Sequence, residues 1–537
     1  MRSRSRGLIK LLALVSVFSL VLAACGNGDE DAAPEAPAAP EAPAPEAPAA
    51  EEDDSEAVGG ILNVGVLNDV QRWDSSRLQG IFFPFHQNLY EPLAIYRDGL
   101  NAEPWLATGW EISAAQDSVT IQIREGVKFH SGREMTAADV GANIDAFTDP
   151  ELGNQAYGPS SAAVRDWEAT GDYEIVVNFN QPIAQLQITD LLASWAMGDP
   201  EFFDVYDSEA NGTGPFRMVE WIPGESVTLE AHPDYWQEGL PYLDGIFYRI
   251  FGDQDAMDSA LESGVVDVLN LPRMDSTLRF LDQGFVMNEA PPGAIIDQWR
   301  INPERAPFDN VDVRMAMNYA SNNDALNEAI YGGTGTPLRL PFAPTSPAYD
   351  NALADSLEYD IDRACELLEG SGLPESEWTA AVLISSGNAT QELSAQIMQQ
   401  ELATCGFTLE IDVVDAATRT ERLLGGDFQT LFGGIGNAQK FPTRISTNSI
   451  YRHQNNPVFN VESLIPEYTA AIEALNTAVT DAEVAAGIAE LNSVLVDNMW
   501  VVTVLAQPRF VLEHPDVTGT FMDIDSQVHF RETRLNR

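Results

Sequence analysis

Side chains able to do covalent or metal chemistry are few for a chain of 537 residues. There are three cysteines (Cys25, Cys365, Cys405), three lysines (Lys10, Lys128, Lys440) and six histidines. No serine sits in a G-x-S-x-G elbow, and no lysine follows the glycine spacing of a phosphate loop. His86, His130, His232, His453, His514 and His529 are scattered without metal-ligand spacing, and no C-x-x-C is present. With Asp and Glu numbering 82, proximity of two acids says nothing about acid–base catalysis. Gly434-Ile435-Gly436 follows an apolar run like the start of a dinucleotide-binding loop. Its third glycine is missing and Pro442 comes before any helix can form, so a tight turn is expected. What remains is thiol pairing and binding. In an oxidising compartment Cys365 and Cys405 form either a disulfide or two separate buried thiols. On a strand over 295–302, Gln298 and Arg300 share one face by two-residue alternation, and Trp299 and Ile301 take the other. A guanidinium there suits a carboxylate or a polar acceptor pair, on a ligand or on one of the chain's own acids.

The elements that position these residues read as an α/β chain. Alternating apolar residues predict strands at 61–66, 119–124, 174–179, 216–221, 226–231 and 246–251. Ile222-Pro223-Gly224-Glu225 predicts the turn of a hairpin. Thr136-Ala137-Ala138-Asp139 predicts a capping box opening a helix over 137–147, and Gly264 predicts the stop of a helix over 253–263. From Asp360 onward, helix (360–369), strand (379–385), helix (391–405) and strand (407–414) alternate, which predicts a lobe with at least partly parallel strands. Helices follow at about 467–477 and 481–497, then a very apolar strand at 501–505. A loop carrying Trp73 follows the first strand.

The net charge is -53, and the acids are spread along the whole chain. Such a surface repels nucleic acid and anionic lipid heads. It implies either a cationic ligand or a surface adapted to salty water, where screening makes the charge tolerable; the even spread favours the second.

The N-terminus has a basic segment (Arg2, Arg4, Arg6, Lys10), an apolar run from Leu11 to Leu22, and Ala23-Ala24 before Cys25. This is the pattern of a secretory signal, and with cysteine after the small pair it resembles a bacterial lipoprotein signal. The resemblance implies acylation of Cys25 and an extracytoplasmic protein tethered to the membrane without spanning it. Residues 26–58 are nearly all Ala, Pro, Glu, Asp and Gly, which predicts a disordered, extended spacer.

Four blocks of the remaining chain resemble the extracytoplasmic solute-binding proteins of peptide/nickel-type ABC importers, family 5. They are Leu89-Tyr90-Glu91-Pro92-Leu93 continuing through Pro104-Trp105-Leu106 to Trp110; Arg124-Glu125-Gly126-Val127-Lys128-Phe129-His130-Ser131-Gly132 with Met135 to Val140; Gly212-Thr213-Gly214-Pro215-Phe216 with Pro233-Asp234-Tyr235-Trp236; and Asn302 with Pro307 to Ala320. His130 and Trp236 read as turn and packing residues. The resemblance implies a two-lobed periplasmic-binding-protein-like α/β fold with an interlobe cleft. Lobe one would be 59–297 plus 502–537, with an extra subdomain at 99–210, and lobe two 298–501. Strands 295–302 and 499–505 would cross between them.

It further implies a monomeric receptor, not an enzyme and without cofactor or metal. The receptor would close on a small-molecule or peptide ligand and deliver it to ABC permease transmembrane subunits. Gln298, Arg300, Trp73 and Gly434, Ile435, Gly436, Asn437 are assigned to the cleft. Peptide binders of the family usually carry a Trp and, three residues later, an Asp for the peptide amine. Those positions are Ile435 and Ala438 here. An oligopeptide is the default ligand, glycans or other polar solutes the alternative; a ligand-sensing signalling receptor would share the same body.

Overall fold

Apolar residues at every second position build two large β-sheets. The computed structural model describes residues 58–537 except 71, 75–83, 98–99, 150–160 and 207. Cys25, its signal and nearly all of the spacer lie outside the described residues.

The first sheet has seven strands, in spatial order Phe216–Ile222, Ser226–Ala231, Gly245–Ile250, Ile61–Val66, Val268–Asn270, Phe510–Glu513 and Val286–Glu289. Strand 61–66 runs parallel to 245–250 and 268–270, and the others pair antiparallel. The hairpin 216–231 turns at Gly224, whose φ of 75° lies in the left-handed region that glycine enters without Cβ strain. Helix Gln254–Glu262 begins where the Asp253 carboxylate accepts from Ala256 N, 2.8 Å. A four-stranded antiparallel sheet, Ala107–Ile112, Ser118–Ile123, Glu174–Phe179 and Val164–Gly171, lies within the range 99–210 expected to form a subdomain. It packs with helix Ala137–Thr148, which opens with the Thr136/Asp139 capping box, around its own apolar core.

The first and third of the four blocks meet at one buried carboxylate. Glu91 accepts from Trp105 Nε1 (2.9 Å), Thr213 Oγ1 (3.0 Å), Tyr235 OH (2.7 Å) and Trp236 Nε1 (3.1 Å). Burial pushes its pKa up and these four donors oppose the shift. These two motifs form a structural joint, and the donors of Trp105, Thr213, Tyr235 and Trp236 are spent on it.

The second sheet has six strands, in order Thr336–Pro337, Val501–Ala506, Ile295–Ile301, Thr430–Gly436, Thr379–Ser385 and Thr408–Val414. Strand 379–385 runs parallel to both 408–414 and 430–436, as the helix–strand alternation predicts. Cys365, on helix Ile361–Gly370, and Cys405, capping the end of helix Ala389–Thr404, form a disulfide with Cα atoms 4.9 Å apart.

Strands 295–301 and 501–506, expected to cross between lobes, pair only within this second sheet. The links to the first sheet are the short segments that precede 295–301 and follow 501–506. These run side by side, with Ala290 N donating to Arg509 O at 2.8 Å and Gln507 N to Ile295 O at 2.9 Å. We propose that the lobe boundaries fall at 290–294 and 507–509 rather than within the strands.

Strand 510–513, which the alternation did not announce, is buried at all four positions and includes Glu513. Burial pushes the Glu513 carboxyl up to about 7. Between the unfolded value of 4.5 and about 7 the folded chain keeps a proton that the unfolded chain releases. Stability from this group therefore falls as pH rises through that window and is level above it. Glu513→Gln is expected to be neutral near pH 4 and to stabilise by about 3 kcal/mol at pH 8. Urea midpoints measured at both pH values check this; equal effects at the two would exclude it.

Candidate functional site

The floor of the candidate site is the pair of strands 295–301 and 430–436. Their antiparallel register sets Gln298 opposite Gly433, Asp297 opposite Gly434 and Trp299 opposite Phe432. Trp299 and Phe432 pack edge to face at 4.9 Å in the lobe-two core. The other face carries Gln298 and Arg300. Gln298 is fully buried, and its Oε1 accepts from Tyr451 OH, 2.9 Å. Arg300 donates to Gly434 O. Burial and the neighbouring Arg419 lower its pKa to about 10. Arg419, on helix Ala416–Leu424, donates to Phe432 O at 2.8 Å.

Asn437 adopts a left-handed conformation (φ 65°) and donates through Nδ2 to Thr447 Oγ1, 3.1 Å. Asn448 grips Gly436 from both sides, accepting from its N at 3.3 Å and donating to its O at 2.9 Å. Gly434 must be glycine: a Cβ there would lie 2.7 Å from Ile295 Cγ2.

Beyond this end of the strand the two lobes meet. Arg444, in the short helix Pro442–Thr447, pairs with Asp190 of helix Gln185–Ser194 at 3.3 Å, and both side chains are almost wholly buried. Burial raises the Asp190 pKa, while Arg444 and Lys440 pull against it. Lys440 Nζ lies 2.7 Å from Asp525, which also accepts from Gln439 Nε2 at 2.6 Å. Asp190 belongs to the subdomain, and Asp525 lies between segments packed into the lobe-one core. Beside these ion pairs lies a cavity of about 600 Å³ whose wall comes from both sides. Asn180, Gln181 and Gln187 line it from the subdomain; Thr443, Ser446, Thr447 and Asn476 line it from lobe two. Its lining is rich in amides and hydroxyls, which suits hydrogen bonding to a polar solute.

Of the residues expected at the cleft, the structure brings Gln298, Arg300, Gly434, Gly436 and Asn437 together along one strand pair. Two need correction. Ile435 lies opposite Ile296, on the face of Gln298 and Gly433, but is 1% exposed because the lobe-two core covers that end of the face. Trp73 is fully buried against Phe85 and Trp221 in the lobe-one core. Neither offers a surface to a ligand in this arrangement. Sequence reasoning missed Arg419, Tyr451, Asp190, Arg444 and Asp525. One signal was available for part of it: Lys440 and Arg444 follow the glycine-rich segment in a chain almost without lysine.

A two-lobed α/β fold with a polar cavity between its lobes defines the binding-protein class. A computed likeness to solved structures agrees. The substrate-binding protein CtaP of Listeria monocytogenes superposes with TM-score 0.78 at 19% identity, covering 89% of this chain and 100% of that one. The Helicobacter pylori protein DppA, solved with the peptide STSA, gives 0.73 at 22% identity over 90% of this chain and 99% of that one. Residues 101–456 match the family described as bacterial extracellular solute-binding proteins, family 5 (middle). The chain belongs to that family. Among curated relatives, the glutathione-binding protein GsiB of Pectobacterium atrosepticum is 29% identical over 325 residues, 60% of this chain and 62% of the relative. Heme-binding protein A of Haemophilus influenzae is 28% identical over 391 residues, 65% and 69% of the two chains. No described helix is long and apolar enough to cross a membrane.

Proposed function

We propose that this chain is a tethered extracytoplasmic receptor that captures a polar solute between its lobes and delivers it to an ABC permease. The observation that carries this reading is the 600 Å³ cavity lined by amides and hydroxyls from both lobes, beside buried interlobe ion pairs. A cavity walled by two bodies is completed only when they close, so occupancy and closure are coupled. Relatives and neighbours are named for glutathione, heme and peptides, which supports a small-molecule or peptide cargo without choosing one. An oligopeptide is our first reading. The absence of an acid at Ala438 favours one that is not held by a free amine, or a glycan. We read the protein as a monomer that does no chemistry on its cargo. Mass spectrometry of solute released from the purified, denatured protein tests this. An oligopeptide or glycan is expected, and turnover of the solute by the native protein would overturn the reading.

Tethering rests on Cys25. Cys25→Ser is expected to move essentially all of the protein from the membrane pellet to the soluble fraction, because the acyl chains supply the anchoring energy. Membrane retention of that variant would show that something other than acylation holds it.

A further inference from the structure

Arg300 and Arg419 flank Gly433. A Cβ at Gly433 would have Arg419 Nη2 at 3.7 Å and Arg300 Nη2 at 3.8 Å, so the glycine leaves the space between the two guanidinium groups open. Each arginine donates once, to a backbone carbonyl of the same strand. The Nε of each is buried without an acceptor. Gln298, directly opposite Gly433, is fully buried, and its Nε2 also lacks an acceptor. Three unmet donors therefore meet on one face of the strand pair, two of them on like charges.

Acids are everywhere in this chain, yet among the described residues no carboxylate lies within ion-pair distance of Arg300 or Arg419. The nearby Asp297 faces the other way. It accepts from Tyr331 OH at 2.8 Å and Gln507 Nε2 at 2.9 Å. Two adjacent, partly buried guanidinium groups repel each other, and buried donors without acceptors cost free energy. Folding alone gives no reason to keep them so.

We infer that Arg300, Arg419 and Gln298 form an anion site for a carboxylate of the captured solute, with Gly433 as its floor. This deepens the solute-capture reading and rests on it. Planar guanidinium groups suit the two coplanar oxygens of a carboxylate. The chain's charge of -53 opposes entry of a multiply charged oxyanion more than a singly charged one. The interlobe cavity is lined by Thr447, Asn476, Asn180 and Gln187, with Asp190, Arg444, Arg452 and His453 also in its wall. Thr447 ties it to the strand through Asn437. The solute class is thus a monocarboxylate with a polar body, such as an N-blocked peptide or an acidic sugar.

The test pairs acids with their neutralised forms on the whole protein by calorimetry: N-acetyl-tetra-alanine with its C-terminal amide, and galacturonate with its methyl ester. Inorganic phosphate is a separate arm. In at least one pair the acid is expected to bind about ten- to a hundredfold more tightly than its partner. Arg419→Gln should erase that difference, and Arg419→Lys, which keeps the charge but loses the planar fork, should restore part of it. Circular dichroism and melting checks that both variants fold. The site assignment is overturned if neutral partners bind as well as acids, if the preference survives both variants, or if phosphate outcompetes the acids. Neutral solutes bound independently of Arg419 would leave solute capture standing. If nothing binds and no solute is carried through purification, capture itself fails, and the anion site with it.

Discussion

Arg444→Ala is expected to weaken solute binding by two to three orders of magnitude while changing the melting temperature of the solute-free protein little. Arg444 and Asp190 meet across the lobes at 3.3 Å, with side-chain exposures of 7% and 2%. Removing one partner of a buried ion pair leaves the other charge uncompensated, at about 3–5 kcal/mol. In a hinge-closing receptor that cost falls on the closed form, because in the open form Asp190 is hydrated. Each 1.4 kcal/mol is about a tenfold change in affinity. Calorimetry with the solute identified from the purified protein measures the effect. The double variant Arg444→Ala with Asp190→Asn should recover much of the loss by removing the stranded charge. If the single variant binds normally but melts much lower, the pair is part of the fold and not of closure.

Loss of the Cys365–Cys405 disulfide is expected to destabilise lobe two by about 4 kcal/mol. The cysteines are separated by 40 positions. By chain-entropy arguments, cross-linking a loop of that length removes about this much free energy from the unfolded ensemble. The double variant Cys365→Ala with Cys405→Ala should therefore unfold at lower denaturant with an unchanged slope. Titration of the denatured, unreduced wild type should find neither thiol free. Two free thiols, or a double variant with the wild-type midpoint, would contradict the expectation.

Much of the architecture was legible because it rests on local chemistry. The Thr136/Asp139 capping box and the turn at Gly224 act within a few residues. The two-residue alternation that separates Gln298 and Arg300 from Trp299 is a property of one strand. Parallel strands in lobe two followed from helices regularly interposed between them. Helix 416–424, which carries Arg419, went unread even though Asp415 caps it. It spans nine residues, too few turns for its pattern to repeat, and none of them is fully buried.

Tertiary structure alone decided which distant groups share an environment. Asp190 and Arg444 lie 254 positions apart, and nothing near either one specifies the other. Ile435 and Trp73 were assigned to the cleft by position but are buried, because removing their apolar area from water outweighs presenting it to a polar cavity. The Glu513 pKa likewise reflects burial in a sheet assembled from both ends of the chain. The chain's own residues determined the lobes' building blocks, the likeness of its motifs to the solute-binding family, and the cysteines available to pair. Which charges remain unpaired over Gly433, and which ones join the lobes, depends on distances that exist only after long-range contacts form.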